Sequence, residues 1–478
     1  MSINRRRLSL TIASGLIVET INKVSPLLIL HHAQKYLGLA AFGWAQYGVA
    51  LLETLQPLVA FGYTNYAMAE VGRAGGAMDR CRQLFSHMTV LKILHAVLVI
   101  ASCLIWTQWQ NSDGHLNENF ALLALILGST AIDAIWFGMV KQKLALFTLL
   151  GGLARIFSLL AILYLVRTPD DKHLFMILIL IPNVIIALTS GFFALKELQF
   201  SRIIPKQLWE VFRGATPYAL IAIILILYDR YDLFLVERWF GLESAGAYSG
   251  PSKVVQSLIA LTGSVVMAFY AEMVRVQDRE SLFKHAALSL WCLMAITTPI
   301  VFGAPFVETE AMQLLFTHHT PEADGIFSLL SIGIIGNVVI TVFGLQLLQL
   351  KGKPWLLIQA LLLGLLVGPL LAYILRDHLG IKAAAWAVLS SKALSATLAV
   401  IYARPLIGRI PWSSLSRTLL AGAAMALVLM LAGPTGLILK LLLGAFVYLF
   451  TLVILNRAQV WQVLHHPKIA RYWRRNSL

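Results

Sequence analysis

Apolar stretches about twenty residues long succeed one another along this chain, and twelve ionisable side chains sit inside them. They are Glu19, Lys23, Glu53, Lys92, Asp133, Arg155, Asp229, Arg230, Asp232, Lys253, Lys392 and Lys440. A charge at the bilayer centre costs about 2.5–3.5 kcal/mol on insertion scales. A dozen facing lipid would cost on the order of 30 kcal/mol, several times the net stability of a folded protein. The charges must face a polar interior or reach the headgroups. The chain is therefore expected to enclose a charged, partly hydrated cavity.

Hydrophobic residues make up 59% of the 478 and charged residues 13%, which sets the chain apart from soluble proteins. The connections between apolar stretches are too short to fold separately, so one integral membrane unit is expected. Cys81, Cys103 and Cys292 are scattered and odd in number, and point to neither a disulfide framework nor a metal site. Arg5-Arg6-Arg7 would suit a signal peptide. The apolar stretch behind them carries Glu19 and Lys23 and lacks a small-residue cleavage site, so it reads as a retained first span.

A window of about 19 residues places helices near 8–30, 40–61, 88–108, 120–140, 145–166, 173–195, 215–236, 245–271, 285–306, 325–350, 355–375, 381–402, 415–432 and 435–456. That is an all-α integral membrane protein with about fourteen spans. Gly433-Pro434 leaves only a minimal turn between the last pair, so twelve spans plus a hairpin or re-entrant segment is the alternative. With the N-terminus inside, the cytoplasmic segments hold 25 Lys and Arg, the outer segments hold 6, and the rest lie within spans. The positive-inside rule then places both termini in the cytoplasm. Because the basic residues alternate between loops, the net charge of +15 does not signal nucleic-acid binding. The basic tail from Lys468 to Arg475 suits anionic lipid of the inner leaflet.

The chain also echoes itself. Tyr36-Leu37-Gly38-Leu39-Ala40-Ala41-Phe42-Gly43 returns 203 residues later as Trp239-Phe240-Gly241-Leu242-Glu243-Ser244-Ala245-Gly246. Phe137-Gly138 with Lys141-Gln142-Lys143 returns as Phe343-Gly344 with Lys351-Gly352-Lys353. Six spans separate the copies, so both halves keep the same orientation, as in parallel repeats. The expected architecture is two parallel six-helix lobes, residues 1–200 and 201–410, around a central cavity. Residues 411–478 add a helix pair and the basic tail.

These motifs resemble the polysaccharide transporter (oligosaccharide flippase, Wzx-like) family of the MOP superfamily. The first span, the Leu-Gly-x-x-x-Phe-Gly connection and the helix ending in Phe61-Gly62-Tyr63 carry the likeness in the first half. In the second half it lies in Tyr228-Asp229-Arg230-Tyr231-Asp232, Gly241 to Tyr248, Lys351-Gly352-Lys353-Pro354 and Gly380 to Trp386. Lys382 departs from the family, which has a small residue there. The resemblance implies a flippase that moves undecaprenyl-diphosphate-linked oligosaccharides across the bacterial inner membrane. Multidrug MATE exporters and the lipid II flippase share its superfamily. It implies no cofactor, possible H+ or Na+ coupling, and partners among membrane lipids and the polymerase and chain-length regulator of the same pathway.

Lys23, Arg155, Arg230, Lys253 and Lys392 are the candidates to neutralise a diphosphate, Arg by a bidentate fork. Asp229, Asp232, Glu19, Glu53 and Asp133 are the candidates for ion coupling. Asp229 and Asp232 are three apart and share a helical face, where mutual repulsion raises at least one pKa; pairing of both with Lys253 is the structural alternative. Glu19 and Lys23, four apart, suit a neutral pair that aids insertion or a cavity-facing one. Lys92 and Lys440 are expected to snorkel. His31-His32 and His318-His319 lack metal-ligand spacing and are expected to be solvated. Gly364-x-x-x-Gly368 suits close helix packing. A MATE-type cation or drug antiporter is the rival function, and a polytopic polymerase, ligase or glycosyltransferase a weaker one. The outer segments near 109–119 and 307–324 contain no nucleophile–base pair.

Overall fold

A computed structural model describes residues 5–464 except 75–76, 111–118, 142, 264, 267–268, 270–272, 274–277, 317–319, 407–411 and 434, with side chains from Leu28 onward other than those of 109–110, 144–145, 148, 279 and 462–464. Among the described residues the chain is helical and contains no strand. Ten helical stretches among the described residues are long and apolar enough to cross a bilayer. By contacts the chain divides into two compact units, Met1–Gly250 with Leu315–His318, and Pro251–Leu314 with His319–Leu478.

The first unit contains α1 (Arg5–Ala60), α2 (Tyr63–Arg73), α3 (Met78–Gln110), α4 (Phe120–Ile132), α5 (Ile135–Val140), α6 (Leu144–Leu165), α7 (Lys172–Glu197) and α8 (Pro205–Tyr228). It also takes the first part of α9 (Tyr231–Ala260). α1 packs along α6, α7 and α8, and α2 lies on α8. At one end Tyr63, Cys81, Leu84, Phe85, Met88, Trp136, Phe137 and Ala215 form a closed cluster. Lipid is as apolar as these side chains, so their packing contacts are what holds the end together.

The connection expected between the first two spans is not a loop. α1 runs through it with one break at Gly38 (φ 73°, ψ 171°), and α9 breaks in the same way at Gly241 (φ 83°, ψ 179°). Positive φ favours glycine, because a Cβ there clashes with the backbone. Five residues beyond each bend the two segments meet. A Cβ on Gly43 would fall 2.0 Å from the Leu242 carbonyl oxygen, and one on Gly246 would fall 2.3 Å from that of Leu39. No other residue fits either position.

The second unit contains α10 (Arg279–Leu315) up to Leu314, α11 (Ile326–Val339), α12 (Pro354–Leu379), α13 (Lys382–Ala403), α14 (Trp412–Leu431), α15 (Leu437–Leu455) and α16 (Arg457–Leu464). A π-helical stretch, Ile340–Gln349, continues α11. α13 packs against α11 and α12, where Gly364 and Gly368 are buried and Ser395 donates to the Ala360 carbonyl at 2.8 Å. The α14–α15 pair packs on α10 through Trp291, Met425, Leu429 and Tyr448.

The second echo extends to the backbone. Lys141 and Lys351 each donate to the carbonyl four residues back, Phe137 and Leu347, at 2.9 and 3.0 Å. Lys143 and Lys353 each donate five residues back, to Gly138 and Leu348, at 2.8 and 2.9 Å. The four lysine amides thus follow the same pairing in both stretches.

Candidate functional site

Two helices of the first unit are interrupted, and polar groups gather at both breaks. α8 ends at Tyr228 and α9 begins at Tyr231, so Asp229 and Arg230 form a turn inside the expected seventh span. Arg230 Nη2 lies 2.5 Å from Glu53 Oε2 of α1, and Arg230 Nη1 donates to the Asp229 carbonyl at 3.2 Å. The Arg230 and Glu53 side chains are 11% and 26% exposed, so this pair is well shielded from water.

The break also separates the two aspartates. Asp229 is exposed, whereas Asp232 is buried and accepts hydrogen bonds from the Tyr248 hydroxyl at 2.8 Å and the Leu233 amide at 2.9 Å. The shared face expected for them depended on an unbroken helix, which the chain does not form there. Tyr248 belongs to the Gly-x-x-x-x-Gly-x-Tyr motif. It lies 16 residues beyond Asp232, across the Gly241 bend, so no helical spacing marks it as the partner.

The second break lies between α4 and α5, at Asp133-Ala134. The Asp133 carboxylate accepts from the Ser190 hydroxyl at 2.6 Å and from the Ile135 amide at 3.1 Å, so the side chain supplies an acceptor where the helix stops. Lys92, buried on α3, donates to the Asp133 carbonyl at 2.7 Å. Lys92 therefore does not snorkel; it satisfies a carbonyl freed by the break.

Lys440 likewise turns inward. It is buried, donates to the Phe306 carbonyl at 3.0 Å and pairs with Glu310. Sequence reasoning missed both Glu310 and Glu308. Glu308 is buried and accepts from the Phe327 and Ser328 amides at 3.0 and 3.3 Å, and from the Ser328 hydroxyl. Its oxygens cap amides that the first turn of α11 leaves without helical partners. His31 and His32 are not simply solvated, since they bond to the Leu315 and Val166 carbonyls, each at 2.9 Å. His318 and His319 lie outside the described residues.

Of the other candidates, Arg155 on α6 and Lys253 on α9 are half-buried and engaged by neighbouring groups. The side chains of Glu19 and Lys23 lie outside those described. Lys392 stands apart. It is 6% exposed on α13, and a Cβ on Gly336 of α11 would fall 3.0 Å from its own Cβ. Among the described residues its ammonium has no hydrogen-bond or ion-pair partner.

Buried cations, helix breaks with polar linings and a glycine-tight crossing thus lie on a scaffold of membrane-spanning helices. A family model described as "Polysaccharide biosynthesis protein" matches residues 11–277, and the chain belongs to that family. No curated protein matches it by sequence. Its fold is that of a solved lipid II flippase MurJ in an inward closed conformation, with TM-score 0.74 and 14% identity over 94% of this chain and 99% of that one. A P26A mutant of a MATE protein follows at TM-score 0.55 and 14% identity, over 84% of this chain and 94% of that one. An outward-facing MATE family multidrug resistance transporter of the MOP superfamily gives TM-score 0.54 and 12% identity, over 83% and 94%.

Proposed function

We propose that this chain is a flippase for an undecaprenyl-diphosphate-linked oligosaccharide, carrying its headgroup from the cytoplasmic to the outer face of the bacterial inner membrane. The observation that carries the reading is Lys392, a buried lysine without a partner among the described residues. Membrane-buried charges are costly and mark substrate or ion paths. An ammonium left open is suited to an anion that arrives and departs, and a diphosphate is such an anion. A site for a lipophilic cation would not place a bare cation there.

In this reading Lys392 is the group that meets the headgroup. The exposed Asp229 is the group that exchanges H+ or Na+, and Asp232 is the structural partner of Tyr248. Both termini are cytoplasmic, in keeping with the charge count of the loops. Alternating exposure of the site to the two faces moves the headgroup while the lipid tail stays in the bilayer.

The test is translocation by the purified chain in sealed vesicles. A fluorescent diphosphate-linked glycolipid should change leaflets in a protein-dependent way, and a lipophilic cation such as tetraphenylphosphonium should not be moved. Transport of the cation without the glycolipid would assign the chain to the MATE-type alternative.

A further inference from the structure

The outer segments carry few basic residues, yet three of them converge on one end of the first unit. Arg167 sits 5.2 Å from the centre of the Tyr36 ring and donates to its hydroxyl at 3.1 Å, while the Lys35 ammonium lies 5.5 Å from the same centre. The Lys172 ammonium lies 4.3 Å from the centre of the Trp44 ring. Tyr36 and Trp44 stand on either side of the Gly38 bend in α1. Cation–π contacts of this kind fix long side chains that would otherwise range freely, and so pre-organise their charges.

Two acids share the loop. Asp171 Oδ2 accepts from the Arg167 and Thr168 amides and from the Thr168 hydroxyl, at 2.9, 2.9 and 3.0 Å, so it is turned onto the loop's own backbone. Asp170 is exposed and makes no such contact. The arrangement is not a general property of the scaffold. The arginine that ends the corresponding helix 209 residues on, Arg376, lies 4.2 Å from Tyr373 of its own helix and 3.5 Å from the Asp377 carboxylate.

We propose that Lys35, Arg167 and Lys172 form an outer binding site for an acidic saccharide, one whose carboxylate or phosphate groups are spaced along the sugar chain. Three cations spread over two rings match several anions on a chain better than one phosphate. Such a site would hold the glycan at the outer face after the headgroup has crossed, and this role rests on the flippase reading above. The binding itself does not.

The test is equilibrium binding to the purified full chain in phosphatidylcholine nanodiscs. The probes are an oligogalacturonide and a neutral maltooligosaccharide of equal length. The oligogalacturonide should bind saturably, weaken as salt rises and lose at least tenfold in affinity in Lys35→Gln/Arg167→Gln/Lys172→Gln. Asp170→Asn should tighten it, and Arg376→Gln should leave it unchanged. The triple Lys/Arg exchange (Lys35→Arg, Arg167→Lys, Lys172→Arg) should retain most binding and reports on folding. Equal binding of both sugars, or no loss in the triple glutamine variant at normal thermal stability, would overturn the proposal. Loss of oligogalacturonide binding in nanodiscs containing phosphatidylglycerol would assign the patch to lipid headgroups instead. Failure of translocation with intact binding would remove the flippase reading and leave the site standing.

Discussion

Gly43 and Gly246, 203 residues apart, face each other so closely that a Cβ on either would strike the backbone of the other's segment, at Leu242 or Leu39. The contact is reciprocal, since 39 and 242 are themselves 203 apart. This is the relation that two copies of one motif would have across a local two-fold axis, and it supports reading the echo as a duplication.

Gly43→Ala and Gly246→Ala should each destabilise the protein, because overpacking costs about 1–3 kcal/mol where neither side can yield. Thermal unfolding in detergent should fall by several degrees. Gly72→Ala, with open space around it, should leave the transition unchanged.

Breaking the Glu53–Arg230 pair should cost more than removing it. Arg230→Gln leaves a shielded carboxylate and Glu53→Gln a shielded guanidinium, each destabilising by about 3–5 kcal/mol when burial is complete and less here, where Glu53 is partly exposed. The double variant should recover part of that loss, with a coupling of about 1–3 kcal/mol in a double-mutant cycle of unfolding. Strict additivity would show that the two side chains do not act as a pair.

Glu70, on α2, predicts a pH dependence. Burial pushes its carboxyl up, but hydrogen bonds from Arg80 and Arg73 outweigh that and hold it below the ordinary value of 4.5. A depressed carboxyl gives stability that is full above the unfolded value and is lost as pH falls through the folded one. Hydrogen exchange in α2 should therefore rise below pH 4.5, and Glu70→Gln should abolish that rise.

Much of this arrangement is legible in the sequence because membrane helices leave few choices for charge and glycine. Gly38 and Gly241 stand out as paired motifs, and both adopt the same backbone conformation. The helix breaks are harder to read. Pro182, Pro217 and Pro369 sit inside unbroken helices, whereas the interruptions fall at Asp133 and Asp229, with no proline or glycine. The signal is the aspartate itself, a poor helix former whose side chain can bond the local backbone. The partners of buried charges, Ser190, Tyr248, Phe306 and Glu310, lie from 16 to 134 residues away in sequence, and no helical spacing points to them.

The central claim is that a buried, open lysine receives an anionic headgroup. It is tested most directly by measuring translocation of a diphosphate-linked glycolipid by Lys392→Gln and Lys392→Arg in vesicles of equal protein content. Losing a charge-assisted contact of about 1.5–3 kcal/mol should slow Lys392→Gln on the order of tenfold to a hundredfold. Lys392→Arg should keep a substantial part of the rate, and both variants should unfold at or above the wild-type temperature. Wild-type translocation by Lys392→Gln would contradict the account.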